Sequence, residues 1–408
     1  MKLKLLFTLQ LFIFFISSAK ADWQQQTSGV TDDLFSVHFI NINTGWAVGT
    51  NGKILFTSNG GTTWSPQTSG TTQTLFDVKF PSALNGFIIG GLNTFLKTTN
   101  GGVNWVSLGV ANMTSTNDLD FIDNNTGYVC GADGDVSRTT NGGVNWTKFD
   151  ISASDLFTIK VLNASTVVAA GVGGFVYKTT NSGANWVQQV TGTNNFVSSI
   201  VFTDNNNGYF TTLGLTEAVF RTTNGGTNWT SVTSPGNTSG LNGLSMVNSS
   251  MVYGVGPEGK IRRTTNSGST WETQPSGDTT SFLRAIFMVD GNIGYVAGNG
   301  GRILKTVNGG IGIQQISTNV PEGFELSQNY PNPFNPVTNI NFSIPKTGVV
   351  KLTVYDASGR ETATLFNGRL SAGTYNYDFD ASLLASGIYF YKLESNEFMQ
   401  TRKMVLVK

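Results

Sequence analysis

A box reading Thr-x-Asn-x-Gly-x-x-Trp recurs through most of the chain and constrains its fold more than any other feature. Its tryptophans, Trp64, Trp105, Trp146, Trp186, Trp229 and Trp271, stand 41, 41, 40, 43 and 42 residues apart. The asparagines of the same boxes are Asn59, Asn100, Asn141, Asn181, Asn224 and Asn266. A seventh copy keeps Thr306, Asn308 and Gly310, but Ile313 stands where Trp is due. A fixed period of this length is the mark of a repeat architecture, in which each unit buries its apolar face only against its neighbours.

Three short apolar patterns precede each box in fixed order, for example residues 34–39, 45–49 and 53–56, then 75–80, 86–90 and onward. Their length, period-two alternation and flanking Gly or Asn are those of β-strands. With the strand that begins at the box Trp, each repeat has four, which is the blade of a β-propeller. Closure into a ring follows, because an open stack would leave two apolar end faces. Residues 23–29 repeat the pattern of residues 64–70, so Trp23 starts a fourth strand that has no box of its own. It is the expected partner of the seventh box. Within the box, the glycines permit φ above zero, Asn bonds backbone amides two residues on, and Trp packs over the turn.

Composition narrows the function. Lys plus Arg and Asp plus Glu both number 25, so there is no basic field for nucleic acid. Charged residues make up only 12% of the chain and Gly reaches 49 residues, a turn-dense, extracellular profile. Cys130 is the only cysteine, lies in an apolar run, and reads as a buried structural thiol. His38 is the only histidine, which excludes a zinc cluster of several histidines.

Lys2 and Lys4, the apolar run 5–16 and the small residues around Ala19 and Ala21 read as a signal peptide over residues 1–21, cut after Ala21. No later run is long enough for a transmembrane helix. The propeller is expected over 22–316, a Pro-rich linker and the start of a new domain over 317–336, and a small β-sandwich over 337–408.

The boxes resemble those of Asp-box or BNR repeats, with Asn in place of the acidic residue, and the propeller is most similar to the Ycf48/Hcf136 photosystem-assembly family. In such propellers the box is a structural hairpin on the face away from the ligand. Residues 326–336 (Leu-Ser-Gln-Asn-Tyr-Pro-Asn-Pro-Phe-Asn-Pro), Val354-Tyr-Asp356, Gly359, Arg360, Ala372, Gly373, residues 386–389 and the tail 403–408 resemble the type IX secretion system type A sorting domain. That resemblance implies an Ig-like sandwich, the type IX machinery as partner, and cargo attached to surface lipopolysaccharide or released. The expected fold is all-β throughout, a seven-bladed β-propeller followed by this sandwich.

For chemistry, aligned inner strands put His38, Lys79, Asp120 and Lys160 at one repeat position, and Ser36, Asp77, Asp118 and Thr158 two residues earlier. These form a candidate ligand funnel. The enzyme alternative is a sialidase-like or other glycoside hydrolase using Asp77 or Asp118 with Asp120, since that chemistry needs two carboxylates. Against it, Arg138, Arg221 and Arg263 share their repeat position with Lys97, Lys178 and Lys305, which reads as a property of blades. Residues 123–127 and 204–208 faintly resemble calcium loops but lack the bidentate Glu, and read as turns. No cofactor or metal is expected. The ligand, an extracellular glycan or protein, belongs on the loops opposite the boxes, and the leading reading is a non-catalytic binding propeller, secreted or surface-displayed.

Overall fold

The computed structural model describes residues 23–408 apart from 111–112, 215–217, 233–239, 308, 311–312 and 382–383. The signal segment with its Ala21 cut, and Asn308 of the seventh box, lie outside the described residues.

Seven four-stranded antiparallel sheets follow one another along the chain. The first blade consists of Leu34–Phe39, Gly45–Gly49, Ile54–Thr57 and Ser65–Gln67. The inner strands of the next six are Leu75–Lys79, Asp118–Phe121, Leu156–Val161, Phe196–Phe202, Gly243–Met246 and Leu283–Met288. The last blade takes its outer strand from the other end of the chain. Gln24–Gln26 pairs antiparallel with Ile303–Thr306, Gln24 opposite Lys305. Trp23 is 1% exposed, and its Nε1 donates to Gln274 Oε1 of the sixth blade at 2.9 Å. Trp105 bears the same relation to Gln67 at 3.1 Å. Trp23 therefore fills the place left by the missing seventh Trp, and the ring closes as the sequence predicts.

Burial is between blades. Phe39 stacks on Tyr295 of the seventh blade at 3.6 Å, Phe80 on Trp46 of the first at 3.5 Å, and Phe121 on Phe87 of the second at 3.9 Å. Each ring lies flat over the first residue of the neighbouring strand in its own blade. A side chain at Gly86 would put its Cβ 2.3 Å from the Phe80 ring, so that strand must begin with glycine.

The box is a hydrogen-bonded hairpin with a longer reach than the sequence suggests. Asn59 Oδ1 accepts from the Thr63 amide four residues on, as Asn100 does from Asn104 and Asn141 from Asn145. The two-residue span belongs to the Thr: Thr57 Oγ1 accepts from Asn59 N–H at 3.4 Å, and from Gly61 N–H at 2.9 Å. The reason is geometric. Gly60 and Gly61 both have positive φ, 65° and 81°, which widens the turn and carries the nearer amides away from the Asn side chain.

The C-terminal part is a β-sandwich of two four-stranded sheets, with Ile340, Phe342, Tyr375 and Phe379 from one facing Leu352, Val354, Tyr391 and Leu406 from the other. Its first strand is Ile313–Ser317, paired with Gly373–Asp380. The sequence places that segment at the end of the propeller. It goes to the sandwich because Gln24–Gln26 already occupies the outer edge of the seventh blade. In the Pro-rich segment, Asn329 is buried and donates Nδ2 to Thr338 Oγ1 at 2.9 Å. Asn332 Oδ1 accepts from Val405 N–H at 2.9 Å, and Phe334 enters the core. Asn332 and Phe334 of the motif thus fasten the final strand, while Asn329 ties the segment to the strand that begins at Val337.

Candidate functional site: the central cavity and its rim

The inner strands surround a cavity of about 410 Å³. Every inner strand carries a β-bulge near its start, where two residues face one on the second strand. The register skips at Phe35, Phe76, Phe157, Ser198 and Arg284. In the third and sixth blades the extra residues are Asn117 and Asn242, whose amides donate to the oxygens of Cys130 and Val255, the partners of Asp118 and Gly243. A bulge re-aims the extra side chain. All seven bulge residues line the cavity, and they lie on the side away from the boxes. The ring reads Phe35, Phe76, Asn117, Phe157, Ser198, Asn242, Arg284.

Three polar members are used to join blades. Asn117 Nδ2 donates to Leu156 O at 2.8 Å, Ser198 Oγ to Leu241 O at 2.8 Å, and Asn242 Nδ2 to Leu283 O at 2.6 Å. The other four form aromatic contacts. Arg284 lies 4.1 Å from the centre of the Phe35 ring and 5.1 Å from that of Phe282. Phe35 meets Phe76 edge-on at 5.8 Å, and across the ring Phe157 packs on Phe196 at 4.3 Å. Arg284 is pinned by Nε to Asn299 Oδ1 at 2.7 Å and by Nη2 to Asp33 Oδ2 at 3.5 Å.

Below the rim, the structure brings Lys79, Asp120 and Lys160 together and sets His38 apart. Asp120 Oδ1 lies 2.9 Å from Lys79 Nζ and 3.6 Å from Lys160 Nζ, while its Oδ2 accepts from Val161 N–H at 2.9 Å. Burial opposes the Asp120 charge, but Lys160 and Lys79 outweigh it and hold the carboxyl down to about 2. His38 instead lies against Phe287, 4.8 Å between centres, with Nε2 3.3 Å from Phe80 O. Burial, with Lys79 nearby, lowers its imidazole to about 3, so it is neutral.

Asp77 accepts from Ser36 Oγ at 2.5 Å, and Asp118 accepts from the amides of Leu119 and Ile159 at 2.8 and 2.7 Å. Burial and then a hydrogen bond and charge from Asp77 push Asp118 well above the usual carboxylate range. The same pattern continues round the ring: Thr158, Ser199 and Ser245 hydroxyls accept from Ile200, Leu244 and Met288 amides of the next blade. Inner-strand polarity is first of all an inter-blade fastening, with the charged members in the second to fourth blades apart from Arg284 in the seventh.

Other sequence features resolve into blade structure. Lys97 and Lys305 donate to Gly142 O and Gly60 O in the box of the next blade, at 2.8 and 2.6 Å, and Arg138 and Arg263 lie over Tyr128 and Tyr253. Asp123 Oδ1 accepts from the amides of Asn125 and Thr126, and Asp204 Oδ1 from those of Asn206 and Asn207, so both are turn caps. Cys130 is a buried free thiol. Among the described residues no group of three or more His, Cys, Asp or Glu could hold a metal ion, and no helix is long and apolar enough to cross a membrane.

This architecture defines the chain as a seven-bladed propeller of the Ycf48 kind followed by a sorting sandwich. Residues 64–200 match the family model for the photosynthesis system II assembly factor YCF48, and residues 328–408 match that of the secretion system C-terminal sorting domain. Among solved structures, it is similar to one described as YCF48 bound to D1 peptide, at 22% identity and TM-score 0.61 over 71% of this chain and 98% of that one. YCF48 from Cyanidioschyzon merolae is 21% identical, with TM-score 0.60 over 70% and 98% of the two chains. The GH74 enzyme of Niastella koreensis is 13% identical, with TM-score 0.59 over 95% of this chain and 75% of the enzyme. At these identities the likeness is one of fold. No curated protein matches the chain. The tail directs the protein through the type IX secretion system to the cell surface or the medium.

Proposed function

We propose that this is a non-catalytic binding propeller, exported behind its signal peptide and sorting tail, which takes a peptide segment of another protein on the cavity face opposite the boxes. The observation that carries the reading is the engagement of the cavity carboxylates. Asp120 is held by two lysines and an amide, Asp118 by two amides, and Asp77 by the Ser36 hydroxyl. Glycoside hydrolysis needs two carboxyls about 5–5.5 Å or about 6.5–9.5 Å apart with a sugar between them. The carboxyls offered for it, Asp77 or Asp118 with Asp120, are instead occupied by Ser36 Oγ, by the Leu119 and Ile159 amides, and by Lys79, Lys160 and the Val161 amide. The peptide class draws support from the similar propeller whose structure holds a D1 peptide.

A panel of chromogenic glycosides and an array of short peptides, both applied to the mature chain, test this. Peptide binding without turnover is expected. Glycoside turnover that disappears in Asp120→Asn would replace this reading with the hydrolase one.

A further inference from the structure

The geometry points to a recognition arc across the seventh, first and second blades, in which Arg284, Phe35 and Phe76 select peptides that combine an apolar side chain with a carboxylate. This inference rests on the peptide-binding reading above and gives that site its chemistry.

The rim divides by what its side chains are already doing. Asn117 and Asn242 each give one amide N–H, and Ser198 its hydroxyl, to the backbone of the next blade. A sugar is read through many hydroxyl hydrogen bonds, and this half of the rim has few donors left to offer. The opposite arc is continuous and of another character: Phe282, 37% exposed, then Arg284, Phe35 and Phe76 in serial contact. The three bulge residues of this arc are half-buried and line the cavity mouth. An apolar side chain gains by covering such rings.

Arg284 supplies the charge. Its Nε and Nη2 are tied to Asn299 and Asp33, which fixes the guanidinium plane against Phe35, while Nη1 has no hydrogen-bond partner among the described residues. A guanidinium held in place by two other bonds loses little entropy on taking a carboxylate. Lys79 and Lys160 deepen the positive side of the cavity, and each is about a quarter exposed. The carboxylates below accept from the protein's own donors, so an incoming anion meets cations before it meets opposing charge.

The test uses three fluorescent octapeptides against the full mature chain: one with Phe three residues before Glu, one with that Glu changed to Gln, and one with that Phe changed to Ala. The first is expected to bind about tenfold or more tightly than either control. Arg284→Gln should remove the preference for Glu over Gln while leaving the Phe preference. Phe76→Leu should weaken the two Phe-containing peptides and leave the Ala peptide nearly unchanged, and Asn117→Ala should change none of these ratios. Thermal melts of each variant check folding, and Arg284→Lys, which keeps charge but not the planar fork, should retain part of the Glu preference. Equal binding of the three peptides, or an Arg284→Gln protein that still prefers Glu, overturns the arc while leaving peptide binding in place. A propeller that binds no peptide on the array removes both.

Discussion

The indole Nε1 of Trp23 donates to Oε1 of Gln274 across 2.9 Å, joining two residues 251 positions apart. This bond is repeated locally in Trp105 and Gln67, 38 positions apart. The same contact is thus a neighbour interaction in one blade and part of the ring's closure in another.

Loss of that seam should be costly. Trp23→Ala removes a fully buried indole and is expected to destabilise the propeller by about 3–5 kcal/mol. Gln274→Ala leaves the indole N–H without its acceptor, at about 1–3 kcal/mol. Gln67→Ala should cost less, because Trp105 is only half-buried. Urea unfolding followed by tryptophan fluorescence measures all three, and an unchanged midpoint for Trp23→Ala would contradict the closure described here.

His38 makes stability depend on pH in one direction. Its folded imidazole titrates near 3 against an ordinary 6.5, so the unfolded chain binds a proton that the folded one refuses. This contribution is complete above pH 6.5 and is lost as pH falls towards 3, at up to about 1.4 kcal/mol per unit. Relative to His38→Gln, the natural protein should lose about 2 kcal/mol between pH 7 and 5. Parallel stability profiles for the two would show that the imidazole is charged when folded.

The box should matter for stability and not for binding. Thr139→Val takes the acceptor away from the Gly143 and Asn141 amides. The expected cost is about 1–3 kcal/mol by thermal melt, with peptide affinity unchanged. A lost affinity at wild-type stability would move the ligand to the box face.

Blade number, box positions and ring closure were all legible in the sequence, because each rests on a local pattern repeated many times. The rim was not, and the reason lies in strand parity. Residues on one face of a strand are separated by even numbers, yet Leu34 and Val37 are both buried three apart, as are Leu75 and Val78, Leu156 and Ile159, and Leu283 and Ile286. The odd step is the bulge. Read as plain alternation, Phe35 and Phe76 look like ordinary strand residues, and the ligand surface is placed in the loops instead. Alignment puts His38, Lys79, Asp120 and Lys160 at one repeat position, but only distances separate His38, which touches Phe287, from the Lys79, Asp120 and Lys160 cluster. The destination of Ile313 was hidden because nothing local tells a strand which edge is already taken.

Sorting should be separable from folding. A chain ending at Gly310 is expected to remain in the periplasm, detected by fractionation, and to melt as the intact propeller does. Normal surface display of that truncation would refute the role of the tail.

The last expectation follows from where the seventh blade finds its fourth strand. Because residues 24–26 supply it, the segment from Ile313 onward contributes no strand to the ring. The address label is stitched to the parcel by a thread that bears none of its weight. A propeller freed of that segment keeps all seven of its four-stranded sheets.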